Sequence, residues 1–472
     1  MPSRSYTIET RIPGNTELAR YLDAYVAEYN AVAREMWHDM TSPDFSGKYP
    51  KPVSYVTRIC DKHRLLKRTV NSIRNEVRGR MKALMELKKT ELCQTDIKIS
   101  VKEEKIAAIK KKLDHLKKKA KAGTLSDREL KSYQGLKASL YWQKNKLNKL
   151  RQRQKKLEYQ IDNRIYDMCY GTKAMFRKQY RLEENGYKTH EKWHNDFIKA
   201  RDKNIFYLGS SDEAFGNQMC RLRYDRDTDR FLLEVRREYK YCTGSRVCDK
   251  YVVIHGLDFK YMKEELIGIL QSYVRAGKGG CPLSYRFHRV GRRWYLQVMF
   301  RQTFEGCLSS SGYGTLGLDY NDGFIEMSET DESGNLVKQA HYDLGYHGTG
   351  KKAEAEIRDV VAYIMAYAAD RGKDVVIEDL DFKRKKAEQA VSTKRTGKRY
   401  NRILHIFDYR RYKETLKNTG FNHRINVVII NPCYTSRIGK QKYCGSKKLN
   451  VHQAASYVIA RRGQGFIDRL SV

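Results

Sequence analysis

Two carboxylates stand out in this chain because each lies within a short apolar run. Asp319 falls within the run 315–321, and Glu378 falls within the run 375–380. An ionised carboxylate in apolar surroundings is costly unless a cation or a function offsets that cost. Because side chains alternate along a strand, the apolar neighbours of each acid face the other way. The pattern predicts a pair of functional acids, with an ordinary strand-end salt bridge as the alternative for either one.

The elements around these acids follow an order that would position them together. Strands are predicted near 315–320, 324–331, 335–343, 375–380 and 426–431, and helices at about 352–371, 398–419 and 450–462. The order βββαβαβα is that of the RNase H-like fold, in which the first and fourth strands lie side by side. Asp319 and Glu378 would then meet at one end of the sheet. Two such close carboxylates repel unless cations lie between them, which predicts a site for two Mg²⁺ ions roughly 3.5–4 Å apart.

The upstream sequence changes pattern twice. A strand at 5–12 and an amphipathic helix at about 16–40 precede a proline-free helical stretch from 56 to about 200. Heptad-spaced leucines and isoleucines predict a helical hairpin at about 98–162, with Ser126 and Glu129 forming a capping box. It is either a solvated coiled coil or an arm that grips nucleic acid. Short alternating segments in 204–302 then predict an antiparallel β unit in the form of a small barrel.

The charge of the chain narrows its partners. There are 93 Lys+Arg against 56 Asp+Glu, giving a formal net charge of +37. So large a positive charge favours nucleic acid as the partner. The sequence predicts no membrane span and no signal peptide, so we expect a cytoplasmic protein. The ten cysteines contain no C-x-x-C pair, and we expect no zinc site at Cys433 and Cys444.

Four motifs carry a resemblance to a known family. They are Gly317-Leu318-Asp319-Tyr320-Asn321, Ile377-Glu378-Asp379-Leu380, Asn431-Pro432-Cys433-Tyr434-Thr435-Ser436, and Ala454-Ala455-Ser456-Tyr457-Val458-Ile459-Ala460-Arg461-Arg462-Gly463. Together they resemble the split RuvC nuclease of TnpB and of its relatives, the type V CRISPR effectors. That resemblance implies an RNA-guided DNA nuclease, with Asp319 and Glu378 as catalytic metal ligands. Guide RNA and target DNA would be its partners, and we expect a monomer.

The resemblance also implies a domain plan. The boundaries would be 1–15 for the first strand of a wedge β-barrel, 16–203 for a helical recognition lobe, 204–305 for the rest of the barrel, 306–314 for a linker and 315–472 for the RuvC domain. Within the RuvC domain, 383–420 is a basic loop and helix, and about 433–449 is a degenerate target-nucleic-acid-binding insert. The fold class is therefore a multidomain α+β protein.

The chain departs from the family at the third acid. The family motif D-x-N-A-A aligns with Val451-His452-Gln453-Ala454-Ala455, which has no aspartate. His452 would substitute as a metal ligand, since imidazole can bind a divalent cation. Asp468 is a second candidate. Because the third acid is absent, a second possible function is that of a nuclease-dead, RNA-guided DNA-binding protein. A third possible function is that of a guide-independent nucleic-acid-binding protein or a transposase.

Basic residues beside the predicted site are candidates for nucleic-acid binding. These residues are Lys383, Arg384, Lys385, Lys386, Lys394, Arg395, Lys398, Arg399, Arg402, Arg461 and Arg462. Each contact that such a residue makes with a phosphate adds affinity and salt dependence. A nucleic-acid strand that lies across the predicted catalytic acids would suit this arrangement. The alternative for residues 383–402 is a loop that is merely solvated.

Overall fold

The structure is a computed structural model, and it describes residues 3–45, 54–242, 250–276, 280–303, 306–321, 323–345, 351–379 and 409–470. The chain is a multidomain α+β protein that divides into two compact units. The N-terminal unit consists of Ser5–Leu92 and Lys155–Gln302. The C-terminal unit consists of Cys93–Gln154 and Thr303–Val472, with Met1–Arg4.

The helices and strands alternate in blocks along the chain. The α-helices are α1 Glu17–Thr41, α2 Tyr55–His63, α3 Lys67–Lys121, α4 Asp127–Asp162, α5 Lys173–Arg177, α6 His190–Arg201, α7 Lys263–Ala276, α8 Lys351–Arg371, α9 Tyr409–His423, α10 Thr435–Lys442 and α11 Val451–Gly463. The strands are β1 Ser3–Ile12, β2 Asn204–Tyr207, β3 Cys220–Asp225, β4 Arg230–Arg236, β5 Tyr251–Leu257, β6 Ser284–Val290, β7 Arg293–Thr303, β8 Thr315–Asn321, β9 Phe324–Thr330, β10 Leu336–Asp343, β11 Asp374–Glu378 and β12 Val427–Ile430.

The N-terminal unit contains two open sheets. One has the order β1-β7-β6-β2 and the other the order β3-β4-β5. The predicted barrel is therefore corrected: within the described residues these strands do not close into one sheet. The prediction also missed β6 and the helix α7, although Leu266, Leu270 and Tyr273 are buried at helical spacing. Both lie in a stretch whose sequence pattern indicates only short alternating strands.

A buried glutamate joins the helical and β parts of the N-terminal unit. Glu238 follows β4 and is fully buried. Its carboxylate accepts hydrogen bonds from the backbone N–H of Leu66 at 2.6 Å and from Thr69 Oγ1 at 2.5 Å. Leu66 directly precedes α3 and Thr69 lies in its first turn, so the Glu238 carboxylate lies at the N-terminal end of this helix, where negative charge is favourable.

The predicted helical hairpin is present as the distal part of α3 and as α4. Ile99 and Ile106 pack against Leu147 in a small apolar cluster, and Lys102 Nζ donates to Gln143 Oε1 at 2.8 Å. The capping box is confirmed, because Ser126 N donates to Glu129 Oε2 at 3.1 Å and Glu129 N donates to Ser126 Oγ at 3.4 Å. Gly123, at φ +70°, makes the turn that precedes it.

The C-terminal unit contains a five-stranded mixed sheet with the order β10-β9-β8-β11-β12. The first three strands form antiparallel pairs, whereas β11 is parallel to both β8 and β12. The first and fourth strands of this unit therefore lie side by side, as the sequence predicts. The described helix α9 begins at Tyr409, and the earlier part of the predicted basic helix, 398–408, lies outside the described residues.

The two faces of this sheet are covered differently. Apolar residues such as Leu318, Met327 and Ile377 form the main core with α8 and α9. The opposite face packs against α11, and Gly317 permits a very close approach. A Cβ atom at Gly317 would lie 2.2 Å from the carbonyl oxygen of Ser456 and 2.3 Å from the backbone nitrogen of Ala460. Asp319 belongs to this second face, because it lies two residues after Gly317 on the same strand.

Candidate active site

The sheet brings Asp319 and Glu378 onto one face of neighbouring strands. The parallel register of β8 and β11 pairs Leu318 with Ile377. One residue further along, Asp319 and Glu378 follow as neighbours on the α11 side. The sequence therefore predicted the relative placement of the two acids correctly at the level of strand and face.

Asp319 is held by two polar side chains. Its Oδ2 atom accepts a hydrogen bond from Asn321 Nδ2 at 2.9 Å and lies 3.1 Å from His452 Nδ1. The Asp319 side chain is 12% exposed, and that of His452 is 49% exposed. The carboxylate is thus largely buried and fixed in orientation, while the imidazole extends towards solvent.

His452 reaches Asp319 because α11 begins with a capping box. Asn450 Oδ1 accepts from the backbone N–H groups of His452 and Gln453, at 2.9 and 2.8 Å, and Gln453 Oε1 accepts from Asn450 N at 3.1 Å. This fixes His452 in the first turn of the helix. The pKa of His452 is raised, mainly by its hydrogen bond to Asp319 and also by the charges of Asp319 and Glu326. Of the two candidates for the third group, His452 is the one that contacts Asp319.

Glu378 is buried, and its partner is a residue to which sequence reasoning gave no role. The Thr435 hydroxyl donates to Glu378 Oε1 at 2.5 Å, and the Tyr409 hydroxyl donates to the backbone carbonyl of Glu378. Thr435 begins α10, directly after Tyr434 in a left-handed conformation at φ +61°. The motif Asn431–Ser436 thus supplies the group that orients the second acid.

A third carboxylate, Glu326, lies next to Asp319 and was not predicted. The antiparallel register of β8 and β9 pairs Asp319 directly with Glu326, so both side chains share one face. Glu326 Oε1 lies 2.8 Å from His341 Nδ1, and His341 Nε2 lies 3.0 Å from Asp343 Oδ1. These two carboxylates raise the pKa of His341. The position of Glu326 between Ile325 and Met327 was the available sequence signal.

The donors present suit a hard divalent cation. Carboxylates are the ligands Mg²⁺ prefers, and the face carries Asp319 and Glu378 side by side. Within the described part of the chain, no three His, Cys, Asp or Glu side chains already converge as a complete metal site. Cation binding would therefore compete with the existing hydrogen bonds, such as that between Thr435 and Glu378.

Asp468, the other candidate third ligand, has different partners. Its oxygens accept from Tyr443 OH at 2.8 Å and from Arg461 Nε at 3.0 Å. Arg461 also donates to the carbonyl of Gly334, and Arg462 donates to the carbonyls of Asn431 and Cys433. The two arginines predicted to bind nucleic acid thus make intramolecular contacts.

The other basic candidates lie outside the described residues. This holds for Lys383, Arg384, Lys385, Lys386, Lys394, Arg395, Lys398, Arg399 and Arg402. Their proposed contacts with nucleic acid stay predictions from the sequence. Among the described helices, none has the length and apolarity needed to cross a bilayer.

Comparisons with known proteins gave matches only to solved structures. No protein-family model and no curated protein matches the chain. A cryo-EM structure of a CRISPR-Cas12f ternary complex is 9% identical, with coverage of 97% of this chain and 98% of that chain, at a TM-score of 0.22.

Crystal structures of Cas12i1 also match. The R-loop complex after target DNA cleavage is 11% identical, covering 94% of this chain and 46% of that chain, at a TM-score of 0.19. The Cas12i1–crRNA binary complex is 10% identical, and the match covers 92% of this chain and 44% of that chain, at a TM-score of 0.20. This chain therefore spans just under half the length of the Cas12i1 chains. TM-scores this low do not assign a fold or a function.

Proposed function

We propose that the chain is an RNA-guided DNA endonuclease with a single RuvC-type site in its C-terminal unit. The observation that carries this proposal is the placement of Asp319 and Glu378 on one face of neighbouring parallel strands. Each acid lies in a motif that resembles the corresponding RuvC motif. The element order and the strand order of the unit support the same assignment.

Each polar residue of the site has a definable role in phosphodiester hydrolysis. Asp319 and Glu378 would hold Mg²⁺, which when bound activates a water molecule and stabilises the leaving oxygen. Asn321 and His452 orient the Asp319 carboxylate, and Thr435 orients Glu378. Because there would be one such site, each strand of the target DNA would have to reach the same two acids as a single strand. The two strands would therefore be cut one after the other.

The charge and surface of the chain support a nucleic-acid partner. A net charge of +37 favours phosphate binding over a long interface. On α4 of the helical hairpin, Tyr141 and Trp142 are 63% and 62% exposed. Exposed aromatic rings beside lysines can stack on bases while the lysines contact phosphates. This favours a nucleic-acid-binding arm over a merely solvated coiled coil.

Base pairing would supply most of the target specificity. The chain would hold a guide RNA, and the guide–target heteroduplex would be recognised by its shape and phosphates. The protein itself would read only a short flanking motif in the DNA duplex.

A nuclease-dead RNA-guided DNA-binding protein is the second candidate. The residue that favours it is Val451, which stands where the resembling family has its third aspartate. Guide-dependent cleavage that is lost in Asp319→Ala would exclude this candidate. Target binding without cleavage by the unmodified chain would establish it.

The guided part of the proposal is tested by the RNA that the protein carries. The protein would be expressed together with its native flanking DNA, purified, and the bound RNA sequenced. A discrete RNA with a constant scaffold and a variable end is expected. Heterogeneous cellular RNA alone would contradict guided targeting and indicate a guide-independent nucleic-acid-binding protein.

A further inference from the structure

Glu326 is a buried carboxylate that the described residues satisfy only in part. Its side chain is 3% exposed. Oε1 contacts His341, but Oε2 is buried and has no hydrogen-bond partner among the described residues. A buried carboxylate oxygen without a partner carries a desolvation penalty that is not offset. A group that binds there would remove the penalty.

The neighbouring Glu329 shows that the same strand can satisfy a buried glutamate completely. It lies on the opposite face of β9 and is 1% exposed. Glu329 Oε2 accepts from Tyr367 OH at 2.6 Å, and Oε1 accepts from Lys373 Nζ at 2.7 Å. On the face that carries Asp319, by contrast, Glu326 Oε2 has no such donor among the described residues.

The position of Glu326 extends the pair of acids to a row of three. Glu326 on β9, Asp319 on β8 and Glu378 on β11 are consecutive across three adjacent strands, with Asp319 in the middle. All three face α11 by the alternation of strand side chains. His452 contacts Asp319 and lies within electrostatic reach of Glu326.

We propose that Glu326 is the third carboxylate of the metal site and replaces the acid that is absent at Val451. This inference rests on the proposed function and adds a ligand to it. Asp319, Glu378 and Glu326 would together hold the divalent cation, and His452 would orient the Asp319 carboxylate. His341 positions Glu326 and is itself held by Asp343, in the way that outer partners commonly orient metal ligands.

Binding of Mn²⁺ alone, measured on the full chain without nucleic acid, tests this assignment. Mn²⁺ takes carboxylate ligands and is detectable by electron paramagnetic resonance. Glu326→Gln is expected to weaken Mn²⁺ binding by roughly 100-fold, and His341→Gln by about 10-fold. The matched control is Glu329→Gln, which breaks a buried ion pair and lowers Tm but should leave Mn²⁺ binding unchanged.

Thermal melts give a second readout that is independent of activity. Without metal, Glu326→Gln should melt at or above the Tm of the unmodified chain, because it removes a buried, partly unpaired charge. Saturating Mn²⁺ should raise the Tm of the unmodified chain more than that of Glu326→Gln. If Glu326→Gln does not fold, His341→Gln carries the test, since its side chain is 45% exposed.

The outcomes separate this inference from the proposed function. If Asp319→Asn loses Mn²⁺ binding while Glu326→Gln and His341→Gln retain it fully, the role of Glu326 is overturned and the nuclease proposal stands. If the unmodified chain and Asp319→Asn bind Mn²⁺ alike, the metal site itself is contradicted, and both proposals fail.

Discussion

His452 is the residue whose role is most directly accessible to mutation. Its imidazole contacts Asp319 and is half exposed, so its removal should not disturb the core. We expect His452→Ala to lose most DNA cleavage while it retains guide and target binding. A filter-binding assay paired with a cleavage assay separates the two effects. Unchanged cutting would show that His452 is not part of the site.

Val451→Ala provides the control for that variant. Val451 is adjacent to His452 in the first turn of α11 and is 40% exposed. The Val451→Ala variant should cleave like the unmodified chain, because of these two adjacent residues it is His452 whose side chain contacts Asp319.

Glu238 should make the stability of the N-terminal unit depend on pH. Burial raises the pKa of Glu238 to about 7, although hydrogen bonds from Leu66 and Thr69 oppose the shift. The ordinary value is 4.5. At a pH between 4.5 and about 7, the Glu238 carboxyl is protonated in the folded state but ionised in the unfolded state. Stability is therefore greatest below the ordinary pKa and is lost as the pH rises through about 7.

Thermal melts between pH 5 and pH 8 check this expectation. The Tm of the unmodified chain should fall over that range, by the equivalent of roughly 3 kcal/mol if the full shift is expressed. In Glu238→Gln, which cannot ionise, this decrease should be largely absent. Equal slopes for the two proteins would mean that the Glu238 carboxyl does not titrate as described.

At the scale of single residues, the sequence indicates which residue types could do chemistry, but not which side chains contact them. The placement of Asp319 beside Glu378 could be predicted because an acid in an apolar run is unusual, and their roles stay predictions. The sequence did not predict that Thr435, His341 and Glu326 belong to the candidate site. Their roles depend on contacts between segments that are distant in sequence, such as Thr435 with Glu378. Glu326 alone had a local signal, as an acid between two apolar residues of a strand.

At the scale of elements, the packing of α11 on β8 decides whether the site forms. Gly317 is the point of closest approach, where any side chain would meet helix backbone. We expect Gly317→Ala to cost at least roughly 1–3 kcal/mol of stability, because α11 must move away from the sheet. The same movement would separate His452 from Asp319 and reduce cleavage. Urea titration and a cleavage assay measure the two effects.

Gly79→Ala is the matched control. Gly79 lies within α3, and a Cβ atom there would have no atom within 4 Å. Alanine favours helix over glycine, so this variant should be neutral or stabilised by up to about 1 kcal/mol. Equal destabilisation by the two substitutions would contradict the packing argument.

Local pattern predicted the elements of the C-terminal unit better than those of the N-terminal β region. Strands β11 and β12 consist mainly of apolar residues, and the helix α8 before β11 buries residues at helical spacing, so their order could be predicted. In the N-terminal unit, α7 and β6 were missed and no closed barrel is present among the described strands. Strand pairing there depends on tertiary contacts that alternation alone does not specify.

At the scale of the whole molecule, charge and catalysis are separate properties. The net charge of +37 would give the chain affinity for nucleic acid of any sequence, and that affinity is expected to fall steeply with salt. Under the proposed function, cleavage at a chosen sequence would need the guide and the two acids together. A test of the central claim must therefore join guided targeting to Asp319 in one experiment.

Cleavage of a guide-matched duplex is that measurement. The substrate would carry the sequence complementary to the co-purified RNA, next to randomised flanking bases, in the presence of Mg²⁺. The unmodified chain should cut matched duplexes that bear one short flanking motif, and Asp319→Ala should bind them without cutting. Failure of the unmodified chain to cut any matched duplex, or equal cutting by Asp319→Ala, would contradict the assignment of this chain as an RNA-guided nuclease acting through Asp319.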